Sequence, residues 1–149
     1  MIKTDIDKIR PLNVQQVIKV NGYDIDVIGI VNNIVYVRWF EDLRMLFLDH
    51  YWPFQDMIQH GLSPILSRTN VHYIKPITIQ DNPVGELWMS EINKARWTVK
   101  IEIRCADSVC CEGSQIGYFF DLDKKRVTRI PERFIEQFNK AVEDDGKKE

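Results

Sequence analysis

Residues Asn33–Tyr51 read as one long helix that is apolar over most of its circumference, and this helix dictates what the rest of the chain must provide. Arg38, Glu41, Asp42, Met45 and Asp49 recur at spacings of three and four along a single stripe. Ile34, Tyr36, Val37, Trp39, Phe40, Leu43, Leu46, Phe47 and Leu48 cover much of the remainder. A helix with so broad an apolar surface has to be covered by other elements on several sides. Pro53 ends it, because the ring removes a backbone donor and biases the preceding Trp52 away from helix.

The second half has the opposite rhythm. Trp97, Val99, Ile101, Ile103 and Cys105 alternate with Arg96, Thr98, Lys100, Glu102 and Arg104, the period of an antiparallel strand with one face packed and the other wet. Residues 14–20, 63–74, 84–92 and 112–122 read as further strands, with a turn at Asp81-Asn82-Pro83 and a hairpin loop at Asn93-Lys94-Ala95. Residues 131–142 read as a short helix with Phe134 and Phe138 on one face. One strand, a buried helix and four strands form an α+β order. Its economical solution is an antiparallel sheet of about five strands wrapped around the long helix, closed by the short C-terminal one. The partly exposed outer face predicts self-association. Residues 1–142 are expected to form a single domain, and the polar residues 143–149 a frayed tail.

With 149 residues, 44% apolar and 28% charged, the chain can bury a core without staples. A net charge of -2 gives no general electrostatic reason to expect nucleic acid, and Lys124-Lys125-Arg126 reads as a solvated turn between acidic neighbours. Cys105, Cys110 and Cys111 have no metal-ligand spacing to His50, His60 or His72, so reduced thiols, polar histidines and no metal are expected. The first five residues lack the apolar core of a signal peptide, and no run approaches a membrane span, so a soluble cytoplasmic protein is expected.

The chemistry concentrates just before the long helix, at Asp26-Val27-Ile28-Gly29-Ile30-Val31-Asn32-Asn33. The first turn of a helix offers N–H groups without partners at the positive end of the dipole, which makes an anion site. Asp26 stands too far ahead to be an ordinary N-cap, which leaves its carboxylate for chemistry, while Asp24 reads as a turn residue. Gly29 allows a tight turn and a close backbone approach to a ligand.

These residues resemble the hotdog-fold acyl-CoA thioesterases of the 4-hydroxybenzoyl-CoA thioesterase type. The family pattern stands here as Asp26, Gly29, Val31, Tyr36, Trp39-Phe40-Glu41 and Arg44. Val71-His72-Tyr73-Ile74-Lys75-Pro76, followed by Asp81, resembles the family's Tyr-x-x-Pro strand end. Arg129-Ile130-Pro131 resembles its passage into the terminal helix. The resemblance implies hydrolysis of an acyl or aryl thioester by a homodimer or homotetramer, with no cofactor and coenzyme A entering as part of the substrate. It implies Asp26 as the reacting carboxylate, nucleophile or general base, and the Asn33 N–H as oxyanion donor. Gly29, Asn32 and Tyr36 are expected beside the substrate, with the Asn side chains free to cap or to orient water; Tyr36 and Trp39 either pack as core or line the acyl channel, which Trp39, Phe40, Phe54, Trp88 and their symmetry mates would build. Many relatives carry histidine directly after the glycine, where this chain has Ile30, and its Asn32-Asn33 pair is similar to acyl carrier protein thioesterases. The carrier therefore stays open between coenzyme A and acyl carrier protein, beside a second reading as a non-catalytic acyl-thioester-binding module.

Overall fold

The computed structural model describes residues 9–147, so the expectations for residues 1–8, 148 and 149 lie outside it. In chain order it forms β1 (Val14–Val17), a 3-10 turn (Gly22–Asp24), α1 (Asn33–Tyr51), α2 (Phe54–Gln59) and β2 (Leu62–Tyr73). Then come β3 (Val84–Ile92), β4 (Trp97–Cys105), β5 (Ser108–Asp121), β6 (Arg126–Thr128) and α3 (Glu132–Gly146). The sheet is antiparallel, in the order β1-β3-β4-β5-β2, with β6 pairing the far end of β5. Among the described residues no helix is long and apolar enough to cross a membrane.

One face of the sheet packs against α1. Phe40 and Leu43 are fully buried, two strand glycines let them in, and a third makes room for Trp97. A Cβ on Gly85 would meet Leu43 Cδ1 at 2.8 Å, one on Gly113 would enter the Phe40 ring, and one on Gly117 would collide with Trp97 and the Ile65 carbonyl. Gln115 lies between the two β5 glycines, 1% exposed, accepting a hydrogen bond from Arg44 at 3.1 Å and donating to Thr69 at 3.3 Å. At the far end of α1, Trp52 packs on Phe119 and Phe134 and donates to Gln137 at 3.0 Å, joining the helix to α3.

The boundaries of α1, β3 and β4 coincide with the sequence reading, and other expectations need correction. Ile34 is 69% and Val37 41% exposed, since a sheet on one side covers only part of a helix. The outer face is not uniformly wet: Glu86 and Glu102 are buried there, side by side on β3 and β4, because Arg10 reaches over both and lies 4.1 Å from the Trp88 ring. Trp88 therefore stands on the outer face, away from any channel along α1. Pro53, expected as a terminator, also caps α2, and the Lys124-Lys125-Arg126 run leads into β6. Residues 143–146 continue α3, because intrahelical hydrogen bonding persists where side-chain packing has ended.

Replacing Gly117 with Ala should destabilise the chain by about 3 kcal/mol, since neither the Trp97 ring nor the Ile65 backbone can move aside cheaply. Gly22→Ala, where nothing lies within 4 Å, should change stability by less than about 0.5 kcal/mol. Urea unfolding midpoints of both variants check this.

Candidate active site

Residues 24–32 form a small hairpin that delivers the chain into α1. Asn32 N–H donates to the Asp24 carbonyl at 2.9 Å, Ile25 bridges Val31, and Asp26 N–H donates to the Ile30 carbonyl at 2.9 Å. The tip closes with Gly29 N–H on the Asp26 carbonyl at 3.1 Å and Gly29 at φ 86°, the left-handed region that disfavours a side chain. The hairpin is clamped from outside by Val31 N–H on the Ile77 carbonyl at 2.8 Å and by the Ile30 to Thr78 bridge. Asp81 fixes that outer segment by accepting from Thr78 N–H at 2.8 Å.

Asp26 is half-buried, and its Oδ1 accepts from Ile28 N–H at 3.0 Å and Ile30 N–H at 3.4 Å. Among the described residues Oδ2 has no such partner, so the turn holds the carboxylate by one oxygen and presents the other. Asp26 caps no helix. The N-cap is Asn32, whose Oδ1 accepts from Ile34 N–H at 3.1 Å while its carbonyl accepts from Val35 N–H at 2.9 Å. With those two donors taken, the Asn33 N–H is the first-turn donor that remains. Asp24, expected as a turn residue, is 3% exposed and accepts from Asn21 N–H at 2.9 Å.

Tyr36 takes the core side of its two readings, and Tyr73 has a contact that its place as a landmark did not show. Tyr36 is 3% exposed, packed edge-on against Trp39 at 5.2 Å and Tyr73 at 5.1 Å, so it faces the core rather than a substrate. Tyr73, which sequence reasoning treated only as a landmark, donates its hydroxyl to the Asn33 carbonyl at 2.8 Å. It ties the end of β2 to the first turn of α1, and its place in the Tyr-x-x-Pro segment was the available signal. Asn32 spends its side-chain oxygen on capping, one of the two uses expected of it. Phe40 is core and Phe54 is 38% exposed on α2, so within one protomer these two and Trp88 do not converge with Trp39 on one channel.

Burial pushes the Tyr36 hydroxyl up to about 12, helped by Cys111, Cys110 and Cys105. Burial does the same for Cys105 and Cys111, each raised to about 12. All three cysteines are free, and the described residues contain no group of three or more His, Cys, Asp or Glu able to hold a metal ion. His50, His60 and His72 are exposed.

The surroundings of Asp26 and Asn33 are open and apolar: Val27 is fully exposed, Ile28 74%, Ile34 69% and Tyr73 41%. An antiparallel sheet packed on a long central helix is the hotdog fold. The chain belongs to the thioesterase-like superfamily, which matches it over residues 20–138. It is 34% identical over 67 residues to the long-chain acyl-CoA thioesterase FadM of Escherichia coli, a match spanning 45% of this chain and about half, 51%, of that enzyme. A DHNA-CoA thioesterase from Staphylococcus aureus shares the fold with a TM-score of 0.78 at 19% identity, over 92% of this chain and 95% of that one. A Thermus thermophilus thioesterase complexed with coenzyme A and Zn shares it with a TM-score of 0.73 at 20% identity, over 86% and 92%.

Two expectations follow. Asn32→Ala should cost about 1 kcal/mol by removing the cap, and Asn32→Gly only a few tenths, read from chemical denaturation. The buried phenol and thiols hold their protons more tightly when folded, so the stability they contribute is full below their unfolded pKa values and lost as pH rises. Unfolding midpoints should therefore fall from about pH 9, where an unfolded thiol ionises, towards about pH 12, and Tyr36→Phe should remove part of the loss above pH 10.

Proposed function

We propose that this chain hydrolyses an acyl or aryl thioester of coenzyme A, in the manner of the 4-hydroxybenzoyl-CoA thioesterase type. The supporting observation is the hairpin itself, which holds Asp26 by Oδ1, leaves Oδ2 unengaged among the described residues, and leads into a helix whose Asn33 N–H is uncommitted. The thioester carbonyl oxygen would sit on that N–H, where the charge of the tetrahedral state develops. Asp26 either attacks the carbonyl carbon, expelling the thiolate and leaving a mixed anhydride that water opens, or takes a proton from the water that attacks. Gly29 shapes the approach, Asn32 holds the helix start and Tyr73 positions Asn33.

The acyl site is completed by a second copy of the chain. The 12-residue strand β2 pairs with β5 on one side only, and near its end Val27, Ile28, Ile34, Tyr73 and Ile74 expose apolar surface. A copy related by a two-fold axis pairs antiparallel along β2 and covers them, giving a homodimer or a pair of dimers. Coenzyme A is part of the substrate and no cofactor takes part. The free, buried thiols suit a reducing compartment such as the cytoplasm. A second reading, a module that binds acyl thioesters without turnover, draws on the two backbone hydrogen bonds that already occupy Asp26 Oδ1. The same geometry serves acyl carrier protein thioesters as alternative substrates.

A panel of acyl-CoA and aryl-CoA substrates assayed for thiol release tests the reading. Asp26→Asn should lower kcat by at least about 100-fold. Asn33→Pro should lower it by about 100-fold with helix content unchanged, because it deletes one N–H at a position that suits proline. Asn32, at φ -63° and ψ 138°, already has the backbone that a following proline requires. Absence of turnover on every substrate, or full activity in Asp26→Asn, would reject hydrolysis in favour of binding. After a single turnover in labelled water, label in the Asp26 carboxylate identifies a nucleophile whose anhydride opens at Asp26, and label only in the released acid marks attack by water at the acyl carbon, as the general-base route requires.

A further inference from the structure

At the β4–β5 turn two thiols that the reaction does not use, Cys105 and Cys110, line one depression of about 460 Å³ together with Lys75 and Asp81. Strict alternation along β5 would send Cys110 and Cys111 to opposite faces of the sheet. The register shifts between Ile103 and Arg104, which leaves β5 one residue extra, and both cysteines are buried. Cys105 is half-buried and pairs with Ser108, so Cys110, two residues on, shares its face. The Cys110 thiol donates back to the Ser108 carbonyl at 3.8 Å, towards Cys105, whereas the Cys111 thiol donates to the Glu112 carbonyl at 3.8 Å, along the strand the other way. Burial pushes the Cys105 thiol up to about 12, with the adjacent Cys110 as a further cause. It therefore stays protonated at neutral pH and reacts through a small thiolate fraction that is correspondingly nucleophilic.

We propose that Cys105 and Cys110 are a thiol modification site, at which a small-molecule disulfide entering this depression is exchanged for a Cys105–Cys110 bond that loosens the aspartate turn. The Cys105 thiolate attacks one sulfur of the reagent, expels one thiol and leaves a mixed disulfide. Cys110, giving up its proton, then attacks the Cys105 sulfur and expels the second thiol. The two cysteines lose two electrons and two protons, and the reagent takes them up as two thiols. Backbone hydrogen bonds carry the change onward. The Cys110 carbonyl accepts from Ile74 N–H at 2.9 Å and from Lys75 N–H at 3.0 Å, and Cys111 is in register with Tyr73. Tyr73 braces Asn33, Ile77 holds Val31, and Asp81 holds Thr78, which bridges Ile30. Drawing the two sulfurs together shifts the strand end that anchors all of these. The bond itself depends on the thiols alone, whereas its effect on turnover rests on the hydrolase reading.

Incubation of the reduced, full-length protein with hydroxyethyl disulfide tests it. The intact mass should fall by about 2 Da, and peptide mapping should join Cys105 to Cys110. Cys105→Ser and Cys110→Ser should abolish that loss and Cys111→Ser should keep it, while mapping of the unsubstituted chain decides the pairing even where a variant fails to fold. Thiol release from acyl-CoA substrates should fall at least about tenfold on oxidation and return on reduction, as expected of misplaced catalytic groups. An unchanged mass, or a bond between Cys110 and Cys111, overturns the modification site. Formation of the bond with full activity retained overturns its coupling to Asp26 and Asn33. Where the reduced protein turns over no thioester, the mass still decides the bond. Hydrogen exchange at Ile74 and Lys75 then decides the coupling: faster exchange after oxidation supports it and unchanged exchange overturns it, so failure of the hydrolase reading is told apart from failure of the switch.

Discussion

The packing of Phe40 and Leu43 into the sheet is the contact on which the remaining structure depends. A helix apolar on so many sides cannot stay in water, and the sheet can approach it only where strand residues lack side chains. Gly85 and Gly113 provide that approach, and the Phe40 ring occupies the space a Cβ on Gly113 would need. Gln115, between the two β5 glycines, satisfies its amide through Arg44 and Thr69 instead of being excluded from the core. Helix position is thereby fixed along its length, and so is the place where its first turn opens.

That opening is held by a few hydrogen bonds between segments distant in sequence. The 24–32 hairpin is pinned by Ile77 and Thr78, the latter by Asp81, and the first turn of α1 by the Tyr73 hydroxyl. Each bond restrains backbone, not a reacting side chain, so the Asp26 carboxylate and the Asn33 N–H take their places from the scaffold. Such arrangements suit catalysis by charge stabilisation, where donors must already stand where charge will form. The same scaffold includes the Cys110 carbonyl, which holds Ile74 and Lys75 between the two anchors.

Periodic elements were legible because burial imposes its period on the residues. The alternation of β4 and the broad apolar surface of α1 gave their boundaries directly, and the distance of Asp26 from the helix correctly ruled out a cap. Short elements were not legible. Three residues of β6 carry too little periodicity, and the turn residues before them suggested only a solvated loop. Glu102 reads as a wet-face residue in its own strand, and its burial depends on Arg10, 92 positions away, together with Arg104 two residues on. Tyr36 and Tyr73 show the same limit at the site: both belong to the recognised pattern, yet which one reaches Asn33 depends on how β2 lies against α1.

By itself the sequence determined that a long helix must be wrapped by an antiparallel sheet and that an aspartate and a glycine precede its entrance, since both follow from residue type and spacing along one stretch of chain. Only the tertiary structure decided that Asn32 caps the helix, that Asp26 is held through one oxygen, that Tyr73 braces Asn33 and that the Cys110 carbonyl holds Ile74 and Lys75. The physical reason is range. Local periodicity records which face is buried, whereas a hydrogen bond or a charge cluster between segments tens of residues apart exists only once sheet register has set their separation.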